Sequence, residues 1–343
     1  MKRKAPGDGD ANDTSSVVDL FGLAENRRVL LVGEGNLSFA ASISKLTNKF
    51  ILIASTYETE EQHCERFQGS QARTEELRKA GFQVLFGVDA TDLASTLPQE
   101  VRERPFDRII FQFPQHKERN KIHLNRELLC TFLREAKALL APAGEVVVSL
   151  VQGQGGTPAE PGPARRPKDT WQAEEMGLEA GLLLTRVVPC PHLELEQLGY
   201  ESTGFRGQGL RGSTKEVYQE RSFNSNGSLT HCYAAPGDGT SAAFPTERKH
   251  DISFWISPDF TEELLLRCFS STAGRLNGLQ PELKLLDEYC SPLDGRHART
   301  YRLSVTSSTK CITQDVWKHL CSDLRERLMQ DPSVEPRRSQ KKM

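Results

Sequence analysis

Strongly apolar runs alternate with longer polar stretches over the first half of the chain. Five of these runs predict strands, at residues 27–33, 50–56, 82–89, 106–113 and 144–151. Several are apolar at successive positions, a pattern typical of strands covered on both faces of a parallel sheet. The polar stretches between them are long enough for crossover helices. The rhythm therefore predicts a doubly wound α/β domain.

Two more apolar runs, at 182–189 and 228–235, predict further strands of the same domain. A helix is predicted at 169–181, with Asp169 or Thr170 as its N-cap and Gly181 as its stop. The segment before it, 152–168, holds four Gly and four Pro and predicts a mobile surface loop without helix or strand.

Composition sets the domain limits. Residues 1–25 are rich in Gly, Asp, Asn and Ser and predict a disordered tail, so the first domain covers 26–235. Residues 236–246 have the composition of a flexible linker. A second domain is predicted over 247–335, and 336–343 form a basic tail.

The second domain shows the order β-α-β-β-α. Its strand-like segments are 250–256, 282–290 and 299–307, and its helical segments are 261–274 and 313–330. One further strand, near Val334, would complete a split β-α-β sandwich. We therefore predict an α+β ferredoxin-like domain.

Composition and charge narrow the functional classes. The 343 residues carry 44 basic and 46 acidic side chains, so a nucleic acid would have to be held by local patches. The eight cysteines form no C-x-x-C pair, which predicts a reducing compartment and no metal site. No apolar run approaches the ~20 residues that span a bilayer, and the N-terminus lacks the apolar core of a signal peptide. We expect a location in the cytoplasm or in the nucleus, including the nucleolus.

The first strand opens into a glycine-rich turn, Gly33-Glu34-Gly35-Asn36, which leads directly into a helix. Glycine there lets a nucleotide-like ligand approach the backbone at a helix N-terminus. A tight turn without a ligand is the alternative. Because Ser38 stands where dinucleotide sites have a third glycine, the turn favours S-adenosylmethionine over NAD or FAD and argues against an oxidoreductase.

Carboxylates follow the next two strands. Glu58 comes about 25 residues after Gly33, close to the spacing of a ribose-binding carboxylate, although it could instead be the solvated start of an acidic helix. Asp89 could take the exocyclic amine of adenine, or it could cap the following helix. Because parallel strands end at one edge of a sheet, the three features converge on one crevice.

The fourth strand ends in Gln112-Phe113-Pro114, where an aromatic ring and an amide could hold a flat base and bond its edge. The alternative is a buried strand followed by a turn. His116 and His231 are candidates for relaying a proton, although a lone histidine is more often structural.

The motifs VGEGNLSFAASI, STYETE, GVDAT, FDRIIFQFPQ, GYESTGFRG and SLTHCY together resemble the Rossmann-like methyltransferases typified by the yeast 25S ribosomal RNA uridine-N3 methyltransferase. The resemblance runs over roughly 27–235 and implies a mostly parallel seven-stranded sheet. It also implies that the residues at 33–35 hold the methionine end of S-adenosylmethionine, Glu58 its ribose and Asp89 its adenine. The family usually carries Asn-Phe-Pro-His where this chain has Gln-Phe-Pro-Gln at 112–115.

The segment from 244 to about 335, with its DISFW run, resembles the ferredoxin-fold anticodon-binding domain that closes phenylalanyl-tRNA synthetases. The domain pairing resembles that of the ferredoxin-fold anticodon-binding domain-containing proteins. Lys249, Arg296, Arg299 and Arg302 could form a phosphate-contacting patch or an ordinary solvated face, and Arg302 could pair with Asp287 or Glu288.

Two functions remain open at this point. The first is an S-adenosylmethionine-dependent RNA methyltransferase, acting on N3 of uridine in ribosomal RNA by the resemblance, with structured ribosomal RNA or tRNA as its partner. The second is a non-catalytic RNA-binding protein whose methyltransferase domain is degenerate, which the glutamines at 112 and 115 keep open.

Overall fold

A computed structural model of the chain describes residues 14–46, 49–116, 121–208, 217–222, 225–274, 279 and 281–337. The chain divides into two compact units, one up to Ala235 and one from Pro236 onward. The predicted basic tail beyond Arg337 and residues 1–13 of the predicted disordered tail lie outside the described residues.

A seven-stranded sheet forms the centre of the first unit. Its strands are β1 (Arg28–Val32), β2 (Ile51–Ser55), β3 (Gln83–Leu85), β4 (Phe106–Gln112), β5 (Leu140–Leu150), β6 (Leu183–Pro189) and β9 (Leu229–Ala234). They lie in the order β3-β2-β1-β4-β5-β9-β6. The first five pair in parallel, and β9 pairs antiparallel with both β5 and β6. The prediction of a mostly parallel seven-stranded sheet is confirmed.

Helices accompany this sheet. They are α1 (Ser15–Phe21), α2 (Ser38–Ile43), α3 (Glu60–Arg66), α4 (Ser70–Lys79), α5 (Leu93–Thr96), α6 (Gln99–Arg102), α7 (Ile122–Leu139), α8 (Ala173–Glu179) and α9 (His192–Gln197). Val29, Leu31 and Leu52 from the strands pack with Phe39 and Ile43 from α2 in one hydrophobic core. The continuous apolar runs of the sequence are thus buried from both faces, as parallel strands require.

The prediction of a disordered tail over 1–25 is wrong for its last part. Residues 15–21 form helix α1, and Val17, Phe21 and Leu23 are fully buried in the core. The polar composition of the segment concealed this short apolar face, whose burial against the sheet stabilises the helix.

Two local predictions also need correction. The predicted helix at 169–181 begins only at Ala173, after Gln172, because Pro167–Asp169 form a 3-10 turn, so neither Asp169 nor Thr170 is the N-cap. Gly181 does end it, in the left-handed conformation with φ 76°. The loop at 152–168 contains that 3-10 turn, and its first part is packed, with Gly153 and Gly155 buried. A hairpin of β7 (Thr203–Gln208) and β8 (Val217–Ser222) was not predicted.

The second unit is a four-stranded antiparallel sheet with helices. Its elements are β10 (Thr246–Ile256), α10 (Glu262–Ala273), β11 (Pro281–Cys290), β12 (His297–Ser307), α11 (Gln314–Leu328) and β13 (Val334–Pro336), and the strand order is β11-β12-β10-β13. Phe254, Tyr301 and Leu303 of the sheet pack with Phe269 of α10 and Leu324 of α11. The β-α-β-β-α-β order of a ferredoxin-like domain is confirmed, including the strand at Val334.

Candidate functional site

The carboxyl ends of four parallel strands meet at one edge of the large sheet. In register, Leu31 of β1 lies beside Ala54 of β2, and Ala54 lies beside Val84 of β3. On the other side, Val32 lies beside Phe111 of β4. The loops that leave these strands therefore lie along one edge of the sheet, the usual place for a ligand in a doubly wound fold.

Gly33 begins the first of these loops, and both its backbone and its surroundings require glycine. Its φ of +65° is left-handed, and a Cβ built on it would lie 2.4 Å from Cε2 of Phe111. Phe111 is itself packed edge-on against Phe132, with ring centroids 5.0 Å apart. The space that a side chain at 33 would need is taken by Phe111 of β4, so the fold accepts only glycine here.

Glu34 is buried, and its carboxylate serves the helix that follows. Its Oε2 accepts a hydrogen bond from the Ala40 backbone N–H at 3.2 Å, in the first turn of α2. Burial raises the pKa of Glu34 to about 7, against the lowering effect of that bond. The side chain of Glu34 thus binds the first turn of α2. Within the predicted site, Glu34 therefore supports the glycine-rich loop.

Asn36 is tied to the segment just before β7. Its Nδ2 donates to Oε2 of Glu201 at 3.1 Å, and its Oδ1 accepts from the Ser38 N–H at 3.0 Å. Arg73 of α4 binds both Asn36 and Glu201. Its Nη1 donates to the Asn36 carbonyl at 3.1 Å, and its Nη2 donates to Oε2 of Glu201 at 2.8 Å. The side chain of Asn36 therefore fixes the loop to its neighbours.

His63, which the sequence did not single out, supports the same loop. Its ring is fully buried in α3, between Phe67 and Phe86, and its Nε2 lies 2.5 Å from the Gly35 carbonyl. The glycine-rich turn is thereby attached to α3 as well as to α4. The loop is preorganised by side chains from several elements.

Glu58 and Asp89 lie in loops that are bonded to each other. The Gly87 N–H donates to the Glu58 carbonyl at 2.8 Å, and the Val88 N–H donates to the Thr56 carbonyl at 2.9 Å. These bonds continue the pairing of β2 with β3 beyond the strands. The sheet therefore brings the two predicted carboxylate segments together at one edge.

The alternative interpretations of these two carboxylates do not hold. Glu58 precedes α3, whose N-cap is Thr59, and its carboxylate, 11% exposed, pairs with Arg66 at 2.8 Å. It is an oriented side chain and not a solvated helix start. Asp89 is not a helix cap either, because Asp92 caps α5. Its Oδ1 accepts two bonds from Thr91, and within the described residues its Oδ2 has no hydrogen bond.

Gln112 ends β4 beside the glycine-rich loop. Both amide atoms, Oε1 and Nε2, are buried, and neither has a hydrogen-bond partner in the part of the chain that the structure describes. A buried amide without partners costs free energy, about 1–3 kcal/mol, unless a ligand or water completes it. Such a group beside a crevice is a natural contact for a polar ligand.

The residues after Gln112 form a strained turn. Phe113 is a non-glycine residue with φ 50°, and its N–H donates to the Ser149 carbonyl of β5 at 3.0 Å. Pro114 is buried, and Gln115 donates to Asn125 of α7 at 3.2 Å. A buried strand followed by a turn accommodates the left-handed Phe113, but it leaves both amide atoms of Gln112 buried without a hydrogen-bond partner among the described residues.

The two candidate histidines differ in their placement. His231 lies inside β9 with both ring nitrogens buried and without a hydrogen bond of good geometry in the described chain, and burial lowers its pKa to about 4. It is neutral and sealed from solvent at pH 7, so it is not a proton relay. His116 lies at the end of the β4 loop, where its backbone N–H donates to Asn125.

The four predicted RNA contacts of the second unit are all ion-paired. Lys249 pairs with Glu247 at 2.7 Å and Arg299 with Glu288 at 2.7 Å. Arg302 pairs with Asp251 through two bonds of 2.8 Å, and not with Asp287 or Glu288 as considered above. Arg296 pairs with Glu335. These neighbouring carboxylates favour the ordinary solvated face over a phosphate-binding patch.

Within the described ranges, no group of His, Cys, Asp and Glu side chains could hold a metal ion. The same ranges contain no helix that is long and apolar enough to cross a bilayer.

Comparison with known proteins identifies the first unit. A family model described as rRNA (uridine-N3-)-methyltransferase BTM5-like matches residues 30–201, half of the chain. The chain belongs to this family. The match begins in β1 and ends at Glu201, so it covers the glycine-rich loop, both carboxylate segments and Gln112.

Two mammalian proteins are similar to the chain over 60% of its length. The mouse ferredoxin-fold anticodon-binding domain-containing protein 1 homolog is 39% identical over 210 residues, which are 60% of this chain and 31% of the mouse protein. The human ferredoxin-fold anticodon-binding domain-containing protein 1 is 37% identical over 207 residues, with the same two shares. The matched region spans about a third of the length of these relatives.

Among solved structures, the 16S rRNA methyltransferase KamB is 15% identical and has a TM-score of 0.38. The structural match covers 66% of this chain and 96% of the KamB chain.

Proposed function

We propose that the protein is an S-adenosylmethionine-dependent methyltransferase that acts on N3 of uridine in ribosomal RNA. Family membership supports the reaction class. The observation at the site that carries the proposal is the buried amide of Gln112, which has no hydrogen-bond partner among the described residues. It lies at the edge of the sheet where the glycine-rich loop begins.

The crevice has the features that an adenosyl ligand needs. The turn at Gly33 carries no side chain, which suits a ligand that packs against backbone, and Glu58, oriented by Arg66, offers a carboxylate for ribose hydroxyls. Oδ2 of Asp89, which has no hydrogen bond in the described chain, can accept from the adenine amine. The bound cofactor supplies an electrophilic methyl group.

Gln112 suits the edge of a uracil ring. Methylation at N3 would break the N3–H bond and form an N3–carbon bond, while the methyl–sulfur bond of the cofactor would break and S-adenosylhomocysteine would leave. The proton would pass to water, and negative charge would develop on the two carbonyl oxygens of the base as it leaves. The Nε2 group of Gln112 can donate to one of those oxygens, where a fixed donor stabilises the developing charge. Its role is thus to orient and stabilise the base, because an amide does not remove the proton.

The direct test is methyl transfer. Purified protein is incubated with S-adenosylmethionine labelled in its methyl group and with ribosomal RNA from cells that lack the protein, and modified uridines are mapped. We expect label at N3 of uridine with the wild type and none with Gly33→Arg. Cofactor binding without any transfer, by contrast, would support the non-catalytic RNA-binding alternative.

The role of Gln112 is tested with two variants, one that keeps the amide group and one that removes it. Gln112→Asn shortens the amide toward the residue that the family usually carries, and Gln112→Leu removes it. We expect Gln112→Leu to lower the rate of transfer about 100-fold, as loss of one preorganised donor does elsewhere, while cofactor affinity stays within twofold. Equal rates for Gln112→Leu and the wild type would contradict the role of the amide.

A further inference from the structure

The loop over residues 152–168 begins beside Gln112. β4 and β5 run parallel, and Gln112 pairs in register with Ser149, close to the end of β5. The chain therefore leaves β5 at the sheet edge where the amide of Gln112 lies. A side chain that is held against the first residues of this loop lies near the amide that the proposed function assigns to the base.

Hydrogen bonds hold this loop at both ends. Near its start, the Gly153 N–H donates to Oε2 of Glu160 at 2.7 Å. Near its end, Nη2 of Arg126 in α7 donates to the Pro167 carbonyl at 2.7 Å. Because α7 and the loop's own backbone fix these points, the loop offers side chains at defined positions, as a binding site for a ligand requires.

Arg165 is folded back over the start of the loop. Gly153 has a left-handed backbone, with φ +82°, and a Cβ built on it would lie 2.5 Å from Nε of Arg165 and closer still to its Cζ. The guanidinium group therefore packs directly on the backbone of Gly153, just after Leu150, the last residue of β5. Only glycine at position 153 allows this contact.

The charge of Arg165 is not neutralised within the part of the chain that the structure describes. Arg165 is exposed and forms no ion pair there. Its neighbour Arg166 differs, because its Nε pairs with Oδ2 of Asp169 at 2.7 Å. The carboxylate of Glu160 faces inward, since its Oε1 is buried and its Oε2 accepts from Gly153. The loop thus presents one positive charge that no carboxylate compensates among the described residues.

We propose that Arg165 binds a backbone phosphate of the RNA, next to the nucleotide whose base meets Gln112. A guanidinium group has the planar fork of donors that phosphate oxygens accept. Its packing on Gly153 leaves it less conformational freedom to lose on binding. A phosphate contact fixes the register of a nucleic acid without reading its sequence. The inference rests on the RNA substrate of the proposed function and concerns how that RNA is positioned.

The test measures both RNA binding and methyl transfer. The full chain is titrated, at several salt concentrations, with ribosomal RNA from cells that lack the protein, and steady-state transfer to the same RNA is followed. Arg165→Ala should raise KM for the RNA about 10-fold while kcat stays within twofold, the pattern of a contact made equally before and during the reaction. The slope of log Kd against log salt concentration should fall by about 0.7–0.9, the value for one phosphate contact.

Variants separate the guanidinium contact from general charge and from the fold. Arg166→Ala removes an arginine of the same loop that already pairs with Asp169, and it should change KM less than twofold. Gly153→Ala keeps Arg165 in the chain but displaces its guanidinium group, and it should raise KM as Arg165→Ala does. Gly162→Ala is its matched control, because Gly162 is also left-handed, with φ +89°, but has open space around it among the described atoms. Urea unfolding checks that each variant is folded.

The proposal is overturned if folded Arg165→Ala keeps the KM and the salt slope of the wild type, if its loss is confined to kcat, or if Arg166→Ala has an equal effect. Failure here leaves methyl transfer by the wild type intact. If the wild type transfers no methyl group, the proposed function fails, and the salt slope of RNA binding still decides whether Arg165 contacts a phosphate. The two proposals therefore fail independently.

Discussion

The edge of the large sheet and the open face of the small sheet both carry the polar side chains that the sequence marked, yet they use them differently. At the large sheet, the amide of Gln112 is buried without a partner in the described chain, and Glu34 is buried with a raised pKa. On the small sheet, Lys249, Arg299 and Arg302 each have a carboxylate within 3 Å. Polar residue type therefore indicates a ligand site only where the protein leaves that group unsatisfied.

The two regions also differ in how they are held. The glycine-rich loop is bonded to His63, Arg73 and Glu201, from three separate parts of the chain. The ion pairs of the small sheet join exposed neighbours in register, such as Asp251 beside Arg302. Changes at the first region should therefore alter ligand binding and stability together, whereas changes at the second should have small effects.

The largest effect is expected at Gly33. Gly33→Ala adds a methyl group both to a left-handed backbone and against Phe111, which should lower the free energy of unfolding by about 3 kcal/mol. Gly81→Ala is the matched control, since Gly81 is also left-handed but has open space around it among the described atoms, and it should cost only about 1 kcal/mol. Urea unfolding measures both. Equal losses would contradict the contact with Phe111, and Phe111→Leu should partly rescue Gly33→Ala.

The pH dependence of stability tests the buried carboxyl. The pKa of Glu34 is raised from 4.5 to about 7 in the folded protein, so folding favours the protonated form. Its contribution to stability is present below pH 4.5 and is lost as the pH rises through 7, on the order of 3 kcal/mol in total. Glu34→Gln keeps an acceptor for Ala40 without this loss.

The measurement for Glu34 is urea unfolding at pH 5 and at pH 8. The variant should gain stability relative to the wild type between these values. Comparison with the wild type cancels His231, whose pKa is lowered to about 4 and whose contribution is instead lost as the pH falls. If the difference in free energy of unfolding between Glu34→Gln and the wild type is the same at pH 5 and pH 8, the pKa of Glu34 is not raised by folding.

Glu201 connects the glycine-rich loop to the segment before β7. Glu201→Ala removes the acceptor of Asn36 Nδ2 and of Arg73, so the loop loses part of its preorganisation. We expect the affinity for S-adenosylhomocysteine to fall about 10-fold by calorimetry, the equivalent of about 1.4 kcal/mol. Because Glu201 is 55% exposed, the stability of the fold should change little. Glu201→Gln should keep most of the affinity, and an unchanged Glu201→Ala would argue against the connection.

The smallest effect is expected on the small sheet. Arg302→Ala should leave the urea midpoint of unfolding almost unchanged, because its ion pair with Asp251 is exposed. It should also change the affinity for single-stranded RNA less than twofold. Asp251→Asn sharpens the comparison, because it releases the arginine from its carboxylate and should raise that affinity. A large loss of RNA affinity with Arg302→Ala would instead support the predicted phosphate-binding patch, against which the ion pairs argue.

The sequence alone determined the strands of the seven-stranded and four-stranded sheets and the sheet edge at which the candidate site lies, because apolar runs and a glycine-rich turn after a strand are local features of the chain. Tertiary structure decided the rest. Helix α1 is held by packing that its polar composition conceals, and Asn36 faces Glu201, 165 positions away. Whether Arg302 is neutralised depended on the strand register that places it beside Asp251. Such partners are distant in the chain, so only the folded arrangement shows which polar groups are satisfied and which are left for a ligand.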